Sequence, residues 1–314
     1  MFSVIRVESD QIEGLTPTPG PSITDQPRKP PMRITTSSCS AMPAVVICLI
    51  LVATGAIAGP FTDPGHLPTE MTAWATSVDA FVAGPVDYRR LYLGVANFGD
   101  PGLVLNLSQT GGIFGSSHVV SLGDGGSITL EFDSGIGDGI GNDFAVFENG
   151  FVDQGSGFFF GEFAFVEVSS DGINFARFPS TSLQTGPIRK FDVVDPSNYH
   201  NLAGDQLIGV GTGFDLHDLW NDPLFLNATL DMTDVRFVRI VDVIGDGSTF
   251  DQFGQPIYDP YATDFASGGF DAEAIGVLHT APEPQTLPLL MVGVTTLIGL
   301  AKTRNRRIPC VSAR

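Results

Sequence analysis

"FAFVEVSSDGINFARFP", residues 163–179, decides the fold. Phe163–Ser169 reads as a strand, Asp171-Gly172 as a tight turn and Asn174–Phe178 as the returning strand. Working outward, "GGSITLEFD" (125–133) alternates Ile128, Leu130 and Phe132 with Ser127, Thr129 and Glu131, the period of a half-buried strand. "DFAVFENGF" (143–151) follows a glycine-rich loop, "SGIGDGIGN". "DVRFVRIVDVIG" (234–245) is apolar on both faces, which predicts a central strand, and "FDAEAIGVLH" (270–279) closes the series. Gly, Pro, Asn and Asp punctuate these short runs at close spacing, the pattern of an all-β sandwich with a single domain between residues 59 and 281. One stretch breaks the pattern. In "PTEMTAWATSVDAFV", Met71, Trp74, Ala75 and Val78 recur at helical spacing after a Pro-Thr entry, predicting one short helix near Trp74. "FDLHDLW" (214–220) fits a single helical turn.

Composition narrows the partners. Residues 59–281 hold seven Arg or Lys against 30 Asp or Glu, a net charge of −23, with Asp far outnumbering Glu. Such a field repels nucleic acid and anionic lipid. Short Asp side chains suit turns and also hard-cation loops, and a solvated acidic coat gives the same composition. The three cysteines, Cys39, Cys48 and Cys310, all lie outside this segment, so it has neither disulfides nor thiol chemistry.

The ends have their own logic. "MPAVVICLILVATGAIA" (42–58) has signal-peptide length and ends in Ala56-Ile57-Ala58, a small-x-small cleavage pattern with Gly59 as the first mature residue. The polar, Pro-rich residues before Met32 make Met32 the expected start, with Arg33 as the positive n-region. At the other end the 15 residues from Leu287 to Ala301 are apolar and are followed by Lys302, Arg304, Arg306 and Arg307. A helix of that length covers roughly 23 Å, short of a hydrocarbon core of about 30 Å, and the basic cluster marks the cytoplasmic side. Pro282-Glu283-Pro284, the short transmembrane segment at about 286–301 and the basic terminus together resemble the PEP-CTERM sorting signal of bacterial surface proteins. That resemblance implies processing by an exosortase, transient anchoring in the inner membrane, and a final place at the cell surface or in the extracellular matrix.

The hairpin at 163–179 and the later "VRFVRIVDV" (235–243) resemble the discoidin-type, galactose-binding-like jelly rolls. Residues 93–278 are also similar to an uncharacterised class of bacterial surface domains sharing "GGSITLEF", "DFAVFEN" and "DPYATDFASGGFDAEAIGV". The discoidin resemblance implies a jelly-roll β-sandwich that binds glycan or another surface polymer through loops at one end. This chain lacks that group's terminal disulfide, and the second class carries no established chemistry to transfer.

Among catalytic patterns, H-E-x-x-H, G-x-S-x-G, the P-loop and G-x-G-x-x-G are all absent, and the five histidines are scattered. "GVGTG" (209–213) lacks a phosphate loop's spacing and reads as a turn. His217 sits between Asp215 and Asp218 with no nucleophile placed beside it, which favours solvated acids on a helical turn. Acids are plentiful enough that a glycan-cleaving pair of carboxylates stays open beside the non-catalytic reading. A purely structural coat protein is the third alternative. The metal reading rests on "DSGIGDGIGND" with Asp138 and Asp143, "DVIGDGSTFD" with Asp246, and "FDAEAIG" with Asp271 and Glu273. Calcium needs six to eight oxygens, which Gly-rich acidic loops can supply. Finally, Arg239 shares a strand face with apolar residues, so an ion pair is expected, with Glu148 as the candidate partner.

Overall fold

Residues 163–179 form the hairpin that their pattern predicts. Ala164–Ser169 pairs antiparallel with Ala176–Arg177, Val168 opposite Ala176 and Glu167 opposite Arg177. Asp171 holds the turn by accepting from the backbone N–H of Ile173 and Asn174, each at 2.8 Å. Gly172 follows at φ +73°, a left-handed conformation that glycine adopts without a Cβ penalty. The computed structural model describes residues 59–105, 118–152 and 159–282.

The described residues are mostly β, with one short α-helix among them. Val235–Asp242 lies at the centre of a five-stranded antiparallel sheet, with Ala164–Ser169 on one side and Ser127–Ile136 on the other. Its outer members are Ala176–Arg177 and Ser77–Val82. A six-stranded antiparallel sheet contains Gly65–His66, Gly211–Phe214, Phe144–Glu148, Asp271–Val277 and Ala73–Trp74 in that order, with Val120–Ser121 also on the 271–277 strand. Both sheets feed one core. Ile128, Leu130, Phe132, Val166, Val168, Val238 and Ile240 come from the first, and Phe144, Val146, Phe214, Ile275 and Val277 from the second. At its centre three rings lock together: Phe144 on Phe214 at 5.4 Å, and Phe178 edge-on to both at 5.8 and 5.0 Å. Edge-to-face and offset contacts of this kind add to the area the rings bury. A second apolar cluster, including Phe163, Phe165, Tyr199, Val243 and Ile257, packs under the 188–202 connections.

The helix expected near Trp74 is not there. After a single 3-10 turn at Pro68–Glu70, the segment becomes two short strands. Ala73–Trp74 pairs with Gly276 and Val277, whereas Ser77–Val82 pairs with the 127–131 part of the other sheet. The four residues at helical spacing are divided between two apolar clusters. Met71 and Trp74 cover Ala145, Phe147 and Ala274, while Ala75 and Val78 join the main core. Two open sheet edges decide the matter. Thr72 donates to Val277 O at 2.7 Å and Thr76 to Glu131 O at 2.8 Å, bonds that a helix would leave unmade. The helix lies instead at Pro223–Leu226, capped by Asp222, which accepts from Leu224 N at 2.7 Å. "FDLHDLW" forms the expected turn, a 3-10 helix at Leu216–Leu219.

Arg239 also departs from expectation. It pairs with Glu167 on the neighbouring strand and its guanidinium lies 3.9 Å over the Phe175 ring. Arg177 approaches the same carboxylate at 2.7 Å. Glu148 belongs to the other sheet, so strand registry gives Arg239 its cross-strand neighbour, Glu167, directly opposite. No helix among the described residues is long and apolar enough to cross a membrane. Ala56, Ala58, Glu283, Pro284, Arg304, Arg306 and Arg307 lie outside the described residues, and Pro282 is the last residue within them.

Candidate functional site

The segment after the Gly211–Phe214 strand builds a cleft. Asp215 caps the Leu216–Leu219 turn, its carboxylate accepting from His217 N at 2.9 Å. Leu216 and Leu219 are buried and fix the turn to the core, which turns Trp220 outward at 51 % exposure. Trp220 stands between His217 and Phe225, with ring centroids 5.2 and 5.0 Å away. Together with Leu230, Met232, Asp138 and Asp231, the Trp220 and Phe225 rings line a cleft of about 470 Å³. The glycine-rich loop is tied to this wall by Asp138 N, which donates to Met232 O at 2.8 Å. Asp231 is occupied within the cleft, accepting from Thr233 N and Thr233 Oγ1 at 2.9 and 2.7 Å.

Beside the cleft, one oxygen each from Asp138, Asp143 and Asp215 lie within 4.8 Å of one another, the only such group among the described residues. Asp143 is fully buried and held by three donors. Gly139 N at 2.7 Å and His279 Nδ1 at 2.9 Å meet Oδ1, and Leu216 N at 2.7 Å meets Oδ2. Burial pushes the Asp143 carboxyl up from its ordinary value, and burial does the same to Asp215. Three carboxylates at that spacing repel unless protonated or bridged, and an all-oxygen set matches a hard cation such as calcium. Asp138 is exposed, so the group opens toward solvent on the side of the cleft.

Other residues expected at a metal site part company here. Asp246, at the start of the Asp246–Phe250 strand, is taken by the Arg89 guanidinium and by the Tyr88 hydroxyl at 2.5 Å, a structural ion pair. Asp271 and Glu273 lie in the 271–277 strand with Glu148 on the strand beside them, apart from Asp138 and Asp143 in sequence and sheet position. Conversely, Asp215, Trp220 and Phe225 join the site although their spacing marks only a helical turn. The sequence marks Asp215 only as an acid at a helical turn, and nothing local shows that it meets a loop 77 residues away in sequence.

No protein-family model matches the sequence, and no curated protein matches it.

Proposed function

We propose that this is an exported, surface-sorted, non-catalytic protein whose jelly-roll β-sandwich binds an extracellular glycan or matrix polymer in the Trp220–Phe225 cleft. Calcium held by Asp138, Asp143 and Asp215 shapes the rim of that cleft. One observation carries the reading: a half-exposed tryptophan backed by a second ring and flanked by polar rim groups. Sugar rings offer an apolar face to stack on such a surface, and hydroxyls to hydrogen-bond around it. The export route is supplied by the tail's likeness to exosortase-sorted proteins, with no role for nucleic acid at this charge.

Binding is the leading reading and cleavage the rival: hydrolysis needs a general acid and a partner carboxylate both facing the bond, and on the cleft only Asp138 and Asp231, whose Oδ1 already accepts both Thr233 bonds, stand as candidates. The test is a polysaccharide panel read for retention and for reducing-end release on the same samples. Retention that Trp220→Ala removes, with unchanged circular dichroism, is the expected outcome. Product release abolished by Asp138→Asn would replace this reading with a glycan-cleaving enzyme. A blank panel would leave a structural coat protein.

A further inference from the structure

A second cleft opens on the other side of the segment that carries Trp220. It has a volume of about 310 Å³, and Arg177, Pro179, Asn221, Pro223 and Gln252 contribute to its lining. Trp220 and Phe225 line the first cleft, whereas Leu219, Asn221 and Pro223 line the second. Adjacent Cα atoms are about 3.8 Å apart, so a ridge about one residue wide separates the two.

Some polar groups at the second cleft are already engaged. Asp218 accepts from Asn201 Nδ2 at 2.9 Å, and Asp222 caps the Pro223–Leu226 helix. Arg177 turns Nε and Nη2 to Glu167, at 2.8 and 2.7 Å, with its guanidinium carbon 4.2 Å from the centre of the Phe165 ring. That packing fixes the guanidinium and leaves Nη1 without a partner among the described residues. The Gln252 amide is held only by a 3.3 Å bond from Nε2 to Thr181 Oγ1, and the exposed Asn221 amide makes no bond within the described chain. Two amides and one guanidinium edge therefore remain for a ligand. They donate to and accept from hydroxyl groups, while the Pro179 and Pro223 rings add apolar surface.

We propose that a linear, uncharged polysaccharide lies across this ridge, with one stretch on the Trp220 and Phe225 rings and the next in the second cleft. The inference rests on the glycan reading of the first cleft and adds the charge class and length of the polymer. Charge class follows from the linings. Four carboxylates, Asp138, Asp231, Asp218 and Asp222, stand against one guanidinium, Arg177, so a polyuronate is repelled at both clefts. Length follows from the ridge. A short oligosaccharide fills one cleft, whereas a longer chain reaches the unpartnered amides beyond Trp220 without giving up its stacking. Those added contacts form within a chain already bound, so they tighten binding without the cost of a second association.

The experiment is calorimetry on the intact purified chain in calcium-containing buffer. The probes are gluco-, xylo- and manno-oligosaccharides of increasing length, with oligogalacturonates of matched length as the charged comparison. Wild type, Trp220→Ala and the double variant Asn221→Ala/Gln252→Ala are compared, each checked for folding by circular dichroism. Asn221 and Gln252 are exposed, and alanine at 252 keeps the backbone bond from Gln252 N to Ser180 O. In wild type, affinity for at least one neutral series is expected to rise roughly tenfold from short to long chains, as two added hydrogen bonds would give. The double variant is expected to lose that rise and keep the short-chain affinity, while Trp220→Ala weakens short and long chains alike. Equal affinity for short and long chains overturns the proposal, as does an unchanged rise in the double variant or tighter binding of the oligogalacturonates. If Trp220→Ala still abolishes binding in those cases, the glycan reading of the first cleft stands and the spanning inference alone fails. No binding of any series, or binding that Trp220→Ala leaves intact, overturns both.

Discussion

Replacing Asp205 by asparagine will change how the protein's stability depends on pH. Asp205 is buried beside the Gly211–Phe214 strand, where Thr212 donates its hydroxyl to Oδ1 at 2.5 Å. Burial raises its carboxyl from 3.8 to about 7. The folded state therefore keeps a proton that the unfolded chain releases above about pH 4. Stability contributed by that proton is present at low pH and lost as pH rises through the window from about 4 to 7. One proton changes the unfolding free energy by about 1.4 kcal/mol per pH unit, so between roughly pH 4.5 and 7.5 this residue alone removes about 3 kcal/mol. Asparagine cannot ionise and removes that slope. The assay is urea unfolding of both proteins in chelator at the two pH values, because bound calcium would add its own pH dependence. Wild type is expected to lose about 3 kcal/mol more than Asp205→Asn on going from the acidic to the neutral buffer. Parallel losses would refute the reasoning, since they would mean that Asp205 is ionised in the folded protein throughout.

Two further outcomes follow from the packing. Arg177→Ala and Arg239→Ala singly are expected to cost about 1–2 kcal/mol, discounted for the half-exposed guanidiniums, because each leaves Glu167 one partner. The double substitution strands a buried carboxylate and costs more than the sum, a coupling measured by a double-mutant cycle in urea. Phe214→Ala opens the three-ring contact between the sheets and is expected to cost about 3–5 kcal/mol with the denaturant slope unchanged, checked by the same unfolding curves.

Strands were legible because one-sided burial leaves an alternating trace. Ile128, Leu130 and Phe132 appear in the sequence as they point in the fold, and the Asp171-Gly172 turn states its own geometry. The segment at 71–78 misled because it serves two sheets and two apolar clusters in eight residues, and the resulting spacing imitates a helix. The cleft was half legible. Glycines around Asp138 and Asp143 signal a loop that can turn oxygens inward, but Asp215 and Trp220 reach it only through the docking of Leu216 and Leu219 in the core. Glu148 was misassigned for a related reason. Alternation suggests which side a residue takes, yet not whether a register shift on the adjacent strand will bury acids next to it.

The 271–277 strand has a mechanical consequence. It is the last strand of the described chain, yet it is paired on both sides, by the 144–148 strand on one and by Ala73–Trp74 and Val120–Ser121 on the other. Tension applied beyond residue 278 along this strand would load both ladders in shear, so that several bonds must fail together. An edge strand pulled across its ladder would open one bond at a time, like a zip. A pull from the C-terminal end would thus load a strand paired on both sides, and the pair Phe144 and Phe214 would pass that load to the opposite sheet through Phe178.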